Sequence, residues 1–362
     1  MTAPASLRAL PFLRIPIVQA PMASATTPQL VAAVSNAGGL GSLPGGYDEP
    51  QLIRERIAQV RALTDRPFAV NLFVDTAAAA PASDDVLRRA HERLRRYRDE
   101  LGIPHPDEPA RSPLTFAQQF AVVLETRPAV FSFTFGIPDA DVLRACRDAG
   151  IFTIGTANTV AEAVAVERAG IGAVCVQGYE AGGHHGNFLA PFGDSLIGTV
   201  ALVSQAVDAV TIPLLAAGGI GDGRAVAAVL ALGATAAQVG SAFLLSDDSA
   251  VPPPYRRVLQ SDAAHRTTLT RVFSGRHARG VRNRFVDEMT GADEIAPYPQ
   301  QHYLTRDIRS AATAQGRPEY LSLWTGQAVA LAKPLPAAEI VARLLAEARA
   351  AAASAAAALG AG

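Results

Sequence analysis

Eight short apolar runs, each followed by a longer amphipathic stretch, dominate the chain and restrict it to a parallel sheet covered by helices. The runs are Ile15–Gln19, Leu40–Ser42, Phe68–Leu72, Val130–Thr134, Phe152–Gly155, Ala173–Gln177, Pro213–Ala217 and Ala236–Val239. None contains a charged residue, as strands buried on both faces require. Between them, helical patterns cover Thr27–Ala37, Gln51–Leu63, Asp139–Ala149, Thr159–Ala169, Ser195–Val207 and Gly223–Leu232. Several are followed by a glycine (Gly38, Gly150, Gly170, Gly233), the residue suited to a left-handed helix cap. Eight such units predict an α/β fold of the TIM (β/α)8 barrel type. An open dinucleotide-binding sheet would place Gly-x-Gly-x-x-Gly after its first strand, where this chain has Gln19-Ala20-Pro21-Met22-Ala23.

Two segments depart from the repeat. Asp75–Arg127 is too long for one crossover; Ser83–Leu101 and Leu114–Thr126 each read as a helix, joined by the Pro-rich Gly102–Pro113. From Ser246 onward the rhythm stops, and a mixed tail follows with Pro252-Pro253-Pro254, an Arg-rich loop and two or three helices. The expected organisation is a barrel over 1–245 with a helical insertion at about 75–127, and a mostly helical segment over 246–362 packed on the barrel near its mouth. Hydrophobic residues make up 49% of the 362, enough for a large core. Lys+Arg 32 against Asp+Glu 33 leaves a net charge of −1, which argues against nucleic acid and anionic membranes as partners. Only Cys146 and Cys175 are present, so a reducing, cytoplasmic setting is expected. The Ala-rich Ala337–Leu359 carries Glu339, Arg343, Glu347 and Arg349 and reads as a surface helix, not a membrane span.

In such a barrel the chemistry sits on the loops that leave the C-terminal ends of the strands. After the last two strands come Ala217-Gly218-Gly219-Ile220-Gly221 and Gln238-Val239-Gly240-Ser241. Glycines there let backbone N–H groups close on an anion, so the pair predicts a phosphate cradle. Gly218-Gly219 alone would be an ordinary tight turn. The loop after strand six reads Gln177-Gly178-Tyr179-Glu180-Ala181-Gly182-Gly183-His184-His185-Gly186. A backbone that rich in glycine can wrap a ligand, and a histidine at its centre can move a proton near neutral pH. His184 is the candidate acid/base group; an exposed loop that happens to hold two histidines is the plainer reading. Adjacent His184 and His185 are poorly placed to share one ion, so no metal is expected. Ala20, Pro21 and Met22 after strand one, Asn71 in strand three and Gln177 in strand six supply groups for a ligand's polar edge, although Asn71 alone reads equally as a turn cap. Phe135 after strand four is a candidate aromatic over a substrate. Arg276, Arg279 and Arg282 read as a surface loop from which one arginine could meet an anion.

With these stretches in view, the sequence resembles the class I nitronate monooxygenases, long called 2-nitropropane dioxygenases. The resemblance rests on Gln19-Ala20-Pro21-Met22, Phe133-Thr134-Phe135-Gly136, Gln177 through His184, Gly218-Gly219, Gln238 through Ser241, and the tail from Tyr298-Pro299 to Tyr320-Leu321-Ser322-Leu323-Trp324-Thr325-Gly326-Gln327. It implies an FMN-dependent barrel enzyme with Ala20, Pro21, Met22, Asn71, Gln177, Gly182, Gly183, Gly218, Gly219 and Gln238 to Ser241 (Gln238, Val239, Gly240, Ser241) around the cofactor. His184 falls at the family's catalytic histidine, and Phe135, His185 and Tyr303 are candidate substrate contacts. The implied activity is oxidation of a small anionic nitronate, of the propionate 3-nitronate type, by O2 through one-electron transfer to the flavin. Carbonyl product and nitrite or nitrate result. A monomer or homodimer is expected. Relatives often carry Arg at the position of His185 and a larger polar or aromatic residue at that of Thr134. Two rivals share these features: an FMN-dependent enoyl-acyl-carrier-protein reductase using NAD(P)H, and a flavin- or phosphate-binding barrel without turnover.

Overall fold

The computed structural model describes residues 10–74, 82–110, 114–291 and 295–360. Its eleven strands are β1 (Ile17–Gln19), β2 (Gly41–Pro44), β3 (Phe68–Phe73), β4 (Val130–Thr134), β5 (Phe152–Ala157), β6 (Ala173–Gln177), β7 (Gly183–His184), β8 (Leu214–Ala217), β9 (Ala236–Val239), β10 (Thr267–Thr270) and β11 (Ala278–Val281). Eight pair in parallel in the order β1-β9-β8-β6-β5-β4-β3-β2, and a parallel bridge between Val18 and Leu40 joins the two ends into a barrel. The eight strands coincide with the eight apolar runs. The glycines after four of the helices take left-handed φ values of 95° (Gly38), 71° (Gly150), 76° (Gly170) and 101° (Gly233).

Alternation along each strand sorts its side chains between two cores. Ile17, Val70, Phe131, Phe133, Val174, Val176, Ala237 and Val239 point outward against the helices. Val18, Leu40, Ala69, Val130, Ile154, Ala173, Cys175, Leu215 and Ala236 fill the barrel, where Leu10 and Leu13 join them. One step further along the same inward rows the chemistry changes. Asn71, Thr134, Thr156, Gln177 and Gln238 follow the apolar floor at the strands' C-terminal ends and line a cavity.

The additions differ in detail from the sequence expectation. Of the 75–127 insertion, the helix Phe116–Thr126 belongs to the barrel: Phe120, Val122 and Val123 pack in the outer core as part of the β3–β4 crossover. Only the helices Asp84–Arg93 and Arg95–Leu101 are extra. They pack with the tail in a separate core that joins Leu87, Leu94 and Tyr97 to Phe273, Phe285, Ile308 and Tyr320. Buried Arg98 ties the two pieces together, with Nε 2.7 Å from Asp307 Oδ2 and its guanidinium donating to the Leu304 carbonyl at 3.0 Å. The joining stretch 75–81 and residues 111–113 lie outside the described residues.

The tail holds more than two or three helices. Among the described residues, five α-helices run over Pro253–Leu259, Arg284–Met289, Gln300–Leu304, Arg306–Ala314 and Ala337–Ala358, together with the hairpin β10–β11. The last helix also lies deeper than a surface helix. Its Ile340, Val341, Leu344 and Ala348 belong to the outer barrel core. Approach to the helix Gly223–Ala231 is so close that a Cβ on Gly223 would lie 2.4 Å from Ala348 N, while Glu347 accepts the Gly223 N–H at 3.0 Å. After β9 the chain thus makes a long excursion and returns to cover the first and last units of the ring. No helix among the described residues is long and apolar enough to cross a membrane.

Candidate functional site

The cavity at the C-terminal ends of the strands has a volume of about 490 Å³. Its walls include Ala20, Pro21, Met22, Asn71, Gln177, Gly182, Gly183, His184, Gly218, Gly219, Gln238, Gly240, Ser241 and Tyr303, so fourteen sequence-predicted positions meet in one place. Three predicted residues stand elsewhere. Val239 lies one position from Gln238 on β9, and alternation turns its side chain into the outer core. His185 follows His184 and is likewise turned away; it is fully buried against the Phe192 ring (centroids 5.5 Å apart), and neither ring nitrogen has a hydrogen-bond partner. Phe135, at φ 81°, stacks on Phe73 at 4.7 Å, and it is Phe73 that lines the cavity.

The loops after β8 and β9, where a phosphate cradle is expected, converge at the cavity. Gly218 and Gly219 take φ values of 104° and 70°, a conformation that side chains resist. Among the described residues, the amides of Gly219, Gly240 and Ser241 have no acceptor in the chain. The tail braces this cradle: Gly326 N–H donates to Ser241 Oγ at 2.8 Å, and Gln327 N–H to the Glu180 carbonyl at 3.0 Å. Glu180 in turn accepts from Thr199 N–H (2.9 Å), at the start of the helix Thr199–Ala209. A Cβ on Gly182 would sit 2.4 Å from Gly326 N, so the glycine-rich loop and the tail are in direct backbone contact.

His184 is held, not loose. Gly183 and His184 form β7, which pairs antiparallel with Arg279 and Ala278 of β11. Gln177 locks the loop from within: its Nε2 donates to the His184 carbonyl at 3.0 Å, and its Oε1 accepts from Gly186 N–H at 2.9 Å and Asn158 Nδ2 at 3.1 Å. The imidazole lines the cavity, with Nε2 2.8 Å from Ser274 Oγ. Trp324 and Tyr298 lie 5.7 and 5.8 Å from it, centroid to centroid. Burial, reinforced by Arg276, Arg309 and His185, pushes its pKa down to about 3, so the ring is neutral near pH 7. Some of its surface still faces the cavity, yet enclosure by aromatic rings makes desolvation the largest cause.

The Arg-rich loop does not reach the cavity. Arg279 is buried, donating from Nε and from its terminal guanidinium to the Tyr179 carbonyl at 3.1 and 3.0 Å. Arg276 donates to the carbonyls of His185 and Asn187 and lies 4.0 Å over the Phe135 ring. Arg282 pairs with Asp287 at the surface. Besides Arg56, which pairs with Asp48, and the exposed Arg306, the cavity wall holds a half-buried cation that sequence reasoning missed, Arg309. Its partners are all neutral: Thr305 Oγ1 at 3.3 Å, the His302 carbonyl at 2.8 Å and His302 Nδ1 at 3.3 Å. Burial pushes its pKa down to about 10, which still leaves it charged. His302 stacks on Tyr47, and Tyr47 Oη is buried without a hydrogen-bond partner. A readable signal existed: His302, Arg306, Arg309 and Thr313, all cavity-lining, recur at helical spacing.

Peptide N–H groups without acceptors, aromatic rings and a neutral imidazole at one barrel mouth define an α/β barrel with a candidate active site at the C-terminal ends of its strands. Comparison with known proteins narrows this. The family described as nitronate monooxygenase matches residues 6–347. A probable nitronate monooxygenase of Staphylococcus aureus is 41% identical over 335 residues, 92% of this chain and 94% of that protein. The solved nitroalkane oxidase from Streptomyces ansochromogenes superimposes with a TM-score of 0.89 at 41% identity, covering 96% of this chain and 99% of that one. FabK from Thermotoga maritima gives 0.76 at 29% identity over 98% and 99%. This chain belongs to the nitronate monooxygenase family and is an oxidoreductase of that kind.

Proposed function

We propose that the cavity binds FMN and that the protein oxidises an anionic alkyl nitronate of the propionate 3-nitronate type with O2, yielding a carbonyl compound and nitrite or nitrate. The residues fit the cofactor. A volume of about 490 Å³ is in the range of small-molecule sites. The free amides of Gly219, Gly240 and Ser241 suit a phosphate. The side-chain amides of Asn71, Gln177 and Gln238 suit the polar edge of a ring and its ribityl chain. Bound there, FMN would accept electrons from the nitronate and pass them to O2.

The chain's own part is to hold the anion and manage one proton. Arg309, with no carboxylate at ion-pair distance among the described residues, offers charge-assisted hydrogen bonds to a substrate carboxylate. Arg309 can only donate, so His302 Nδ1 is its acceptor and Nε2 carries the proton. Tyr47 Oη and His302 Nε2–H are therefore further donors. Neutral His184 can take the α-proton of a nitroalkane that arrives protonated. Phe73 and Trp324 keep the cavity apolar beside it.

The observation that carries this reading is the placement of an unpaired arginine and a neutral histidine on the wall of the cavity that also holds the glycine cradle. An absorbance spectrum and anaerobic titrations test it. Flavin bands that bleach with propionate 3-nitronate and persist with NADH are expected. Prompt bleaching with NADH alone would assign the enoyl-acyl-carrier-protein reductase alternative instead, and a colourless protein that takes up no flavin would end the proposal.

A further inference from the structure

We propose that Ser274 fixes the tautomer of His184, holding the proton on Nε2 and leaving the Nδ1 lone pair as the basic atom toward the cavity. This rests on the reading of His184 as the proton acceptor. Ser274 is separated from His184 by 90 residues, and the β10–β11 hairpin brings it there: β11 pairs with β7, and Ser274 lies in the connection just before β11. That connection is tightly set. Gly275 takes φ 85°, and a Cβ on it would meet the Ala296 carbonyl oxygen at 2.4 Å.

Ser274 Oγ is 2.8 Å from His184 Nε2 and 3.1 Å from the Arg276 carbonyl, and it has one proton to give. A carbonyl only accepts. If the hydroxyl donates to Arg276 O, its lone pair faces Nε2, which must then carry hydrogen; the directed chain Nε2–H to Oγ–H to O=C satisfies all three groups. If the hydroxyl donates to Nε2 instead, the half-buried Arg276 carbonyl loses its one hydrogen-bond partner in the chain, beside the buried Ser274, which is unfavourable. Nδ1 has no hydrogen-bond partner among the described residues, while the ring lines the cavity, so the remaining lone pair is the one a substrate meets. Ser274 is thus a positioning residue. It orients the base as a carboxylate does in many hydrolases, but without a negative charge that would favour the imidazolium.

The test reads the tautomer directly. In holoprotein labelled with 15N-histidine, long-range 1H–15N spectra separate protonated from lone-pair nitrogens, and the His184 signals are those lost in His184→Asn. The expected wild-type pattern at pH 7 is a protonated Nε2 and a lone-pair Nδ1. In Ser274→Ala the two nitrogen shifts should draw together as the second tautomer is populated, and in Ser274→Thr the wild-type separation should return. A wild type protonated at Nδ1, or a separation unchanged in Ser274→Ala, overturns the proposal. Kinetically, Ser274→Ala should lower kcat for nitroethane about tenfold while nitronate oxidation stays within about threefold; equal losses on both would reduce Ser274 to a structural role. If the wild type turns over nitronates but no nitroalkane, the assignment of His184 as base fails, and the tautomer spectra still decide Ser274.

Discussion

Tyr47 and His302 lie face to face, their ring centroids 3.8 Å apart and their planes within 2°. One comes from the loop after β2 and the other from the appended tail, so the stack joins barrel and tail across the cavity. Arg309 touches the same histidine from the next turns of the tail helices, and together the three present donors on the tail side of the cavity.

Arg309→Met should therefore act as a specificity mutation. A charge-assisted hydrogen bond to a charged group contributes about 1.5–3 kcal/mol, so kcat/KM for a carboxylated nitronate should fall by roughly 10- to 150-fold. Ethyl nitronate, which has no carboxylate for Arg309 to meet, should lose little. Steady-state oxygen consumption with the two substrates makes the comparison; equal losses on both would remove Arg309 from substrate recognition.

Acid should destabilise the fold through its buried histidines. Burial first, then neighbouring arginines, pushes His184 down to about 3, His185 to about 4 and His302 to about 2. Each is neutral when folded, and below about pH 6.5 the unfolded chain binds protons that the folded chain refuses. The stability they support is thus complete above that pH and drains as pH falls toward the folded values. His185→Leu isolates one of them, because neither nitrogen of His185 has a partner to lose. For this residue alone the linkage between pH 6.5 and 5 is on the order of 2 kcal/mol. Urea unfolding of the variant should show a shallower acid slope than wild type, with stability at pH 7.5 equal or higher; an unchanged slope would mean His185 is charged in the folded protein.

The joint between insertion and tail invites its own measurement. Arg98 is buried and paired with a single carboxylate, Asp307, whose own side chain is partly exposed. Removing one partner of such a pair leaves an uncompensated charge, which costs about 3–5 kcal/mol when both are buried and less when one is wet. Asp307→Ala should lower stability by about 2 kcal/mol, read as a reduced urea midpoint. Arg98→Met, which removes the buried charge itself, should be the milder change. The reverse order would show that the carbonyl contacts of Arg98, not its charge, hold the joint.

Much of this arrangement is legible in the sequence. Uncharged runs of strand length punctuated by glycine-capped helices admit few folds, and a barrel names its own active face, so the glycine loops and His184 could be placed by rule. What escaped was tertiary. A two-residue strand such as β7 has no periodicity, so nothing in Gly183-His184 announces its pairing with Ala278 and Arg279. His302 and Arg309 show only that they share a helical face; which surface that face meets depends on the docking of the tail. Tyr47 carries no sequence signal either, because the apolar run Leu40–Ser42 stops two residues short of the strand's end at Pro44 and the loop that holds it begins only there. Val239 and His185 stand apart from the cavity for a different reason: each belongs to a contiguous motif, and alternation along the chain turns neighbours to opposite sides.

Two adjacent glycines offer the sharpest test of how the tail closes the site. At Gly182 a Cβ would lie 2.4 Å from Gly326 N and 2.5 Å from the Thr325 carbonyl carbon, both backbone atoms that cannot swing aside. At Gly183 the same Cβ would meet nothing within 4 Å, and the penalty is conformational only, since φ is 72°. A left-handed non-glycine residue costs about 1–2 kcal/mol, so Gly183→Ala should lower Tm by a few degrees and leave the tail docked. Gly182→Ala must instead push Thr325 and Gly326 away from Ser241 Oγ and so loosen the brace behind the cradle. The expected outcome is a variant that folds its barrel yet loses flavin on gel filtration and exposes the 325–327 segment to protease, whereas Gly183→Ala retains both. Equal flavin retention in the two variants would show that the tail's contact with the glycine loop does not support the cradle.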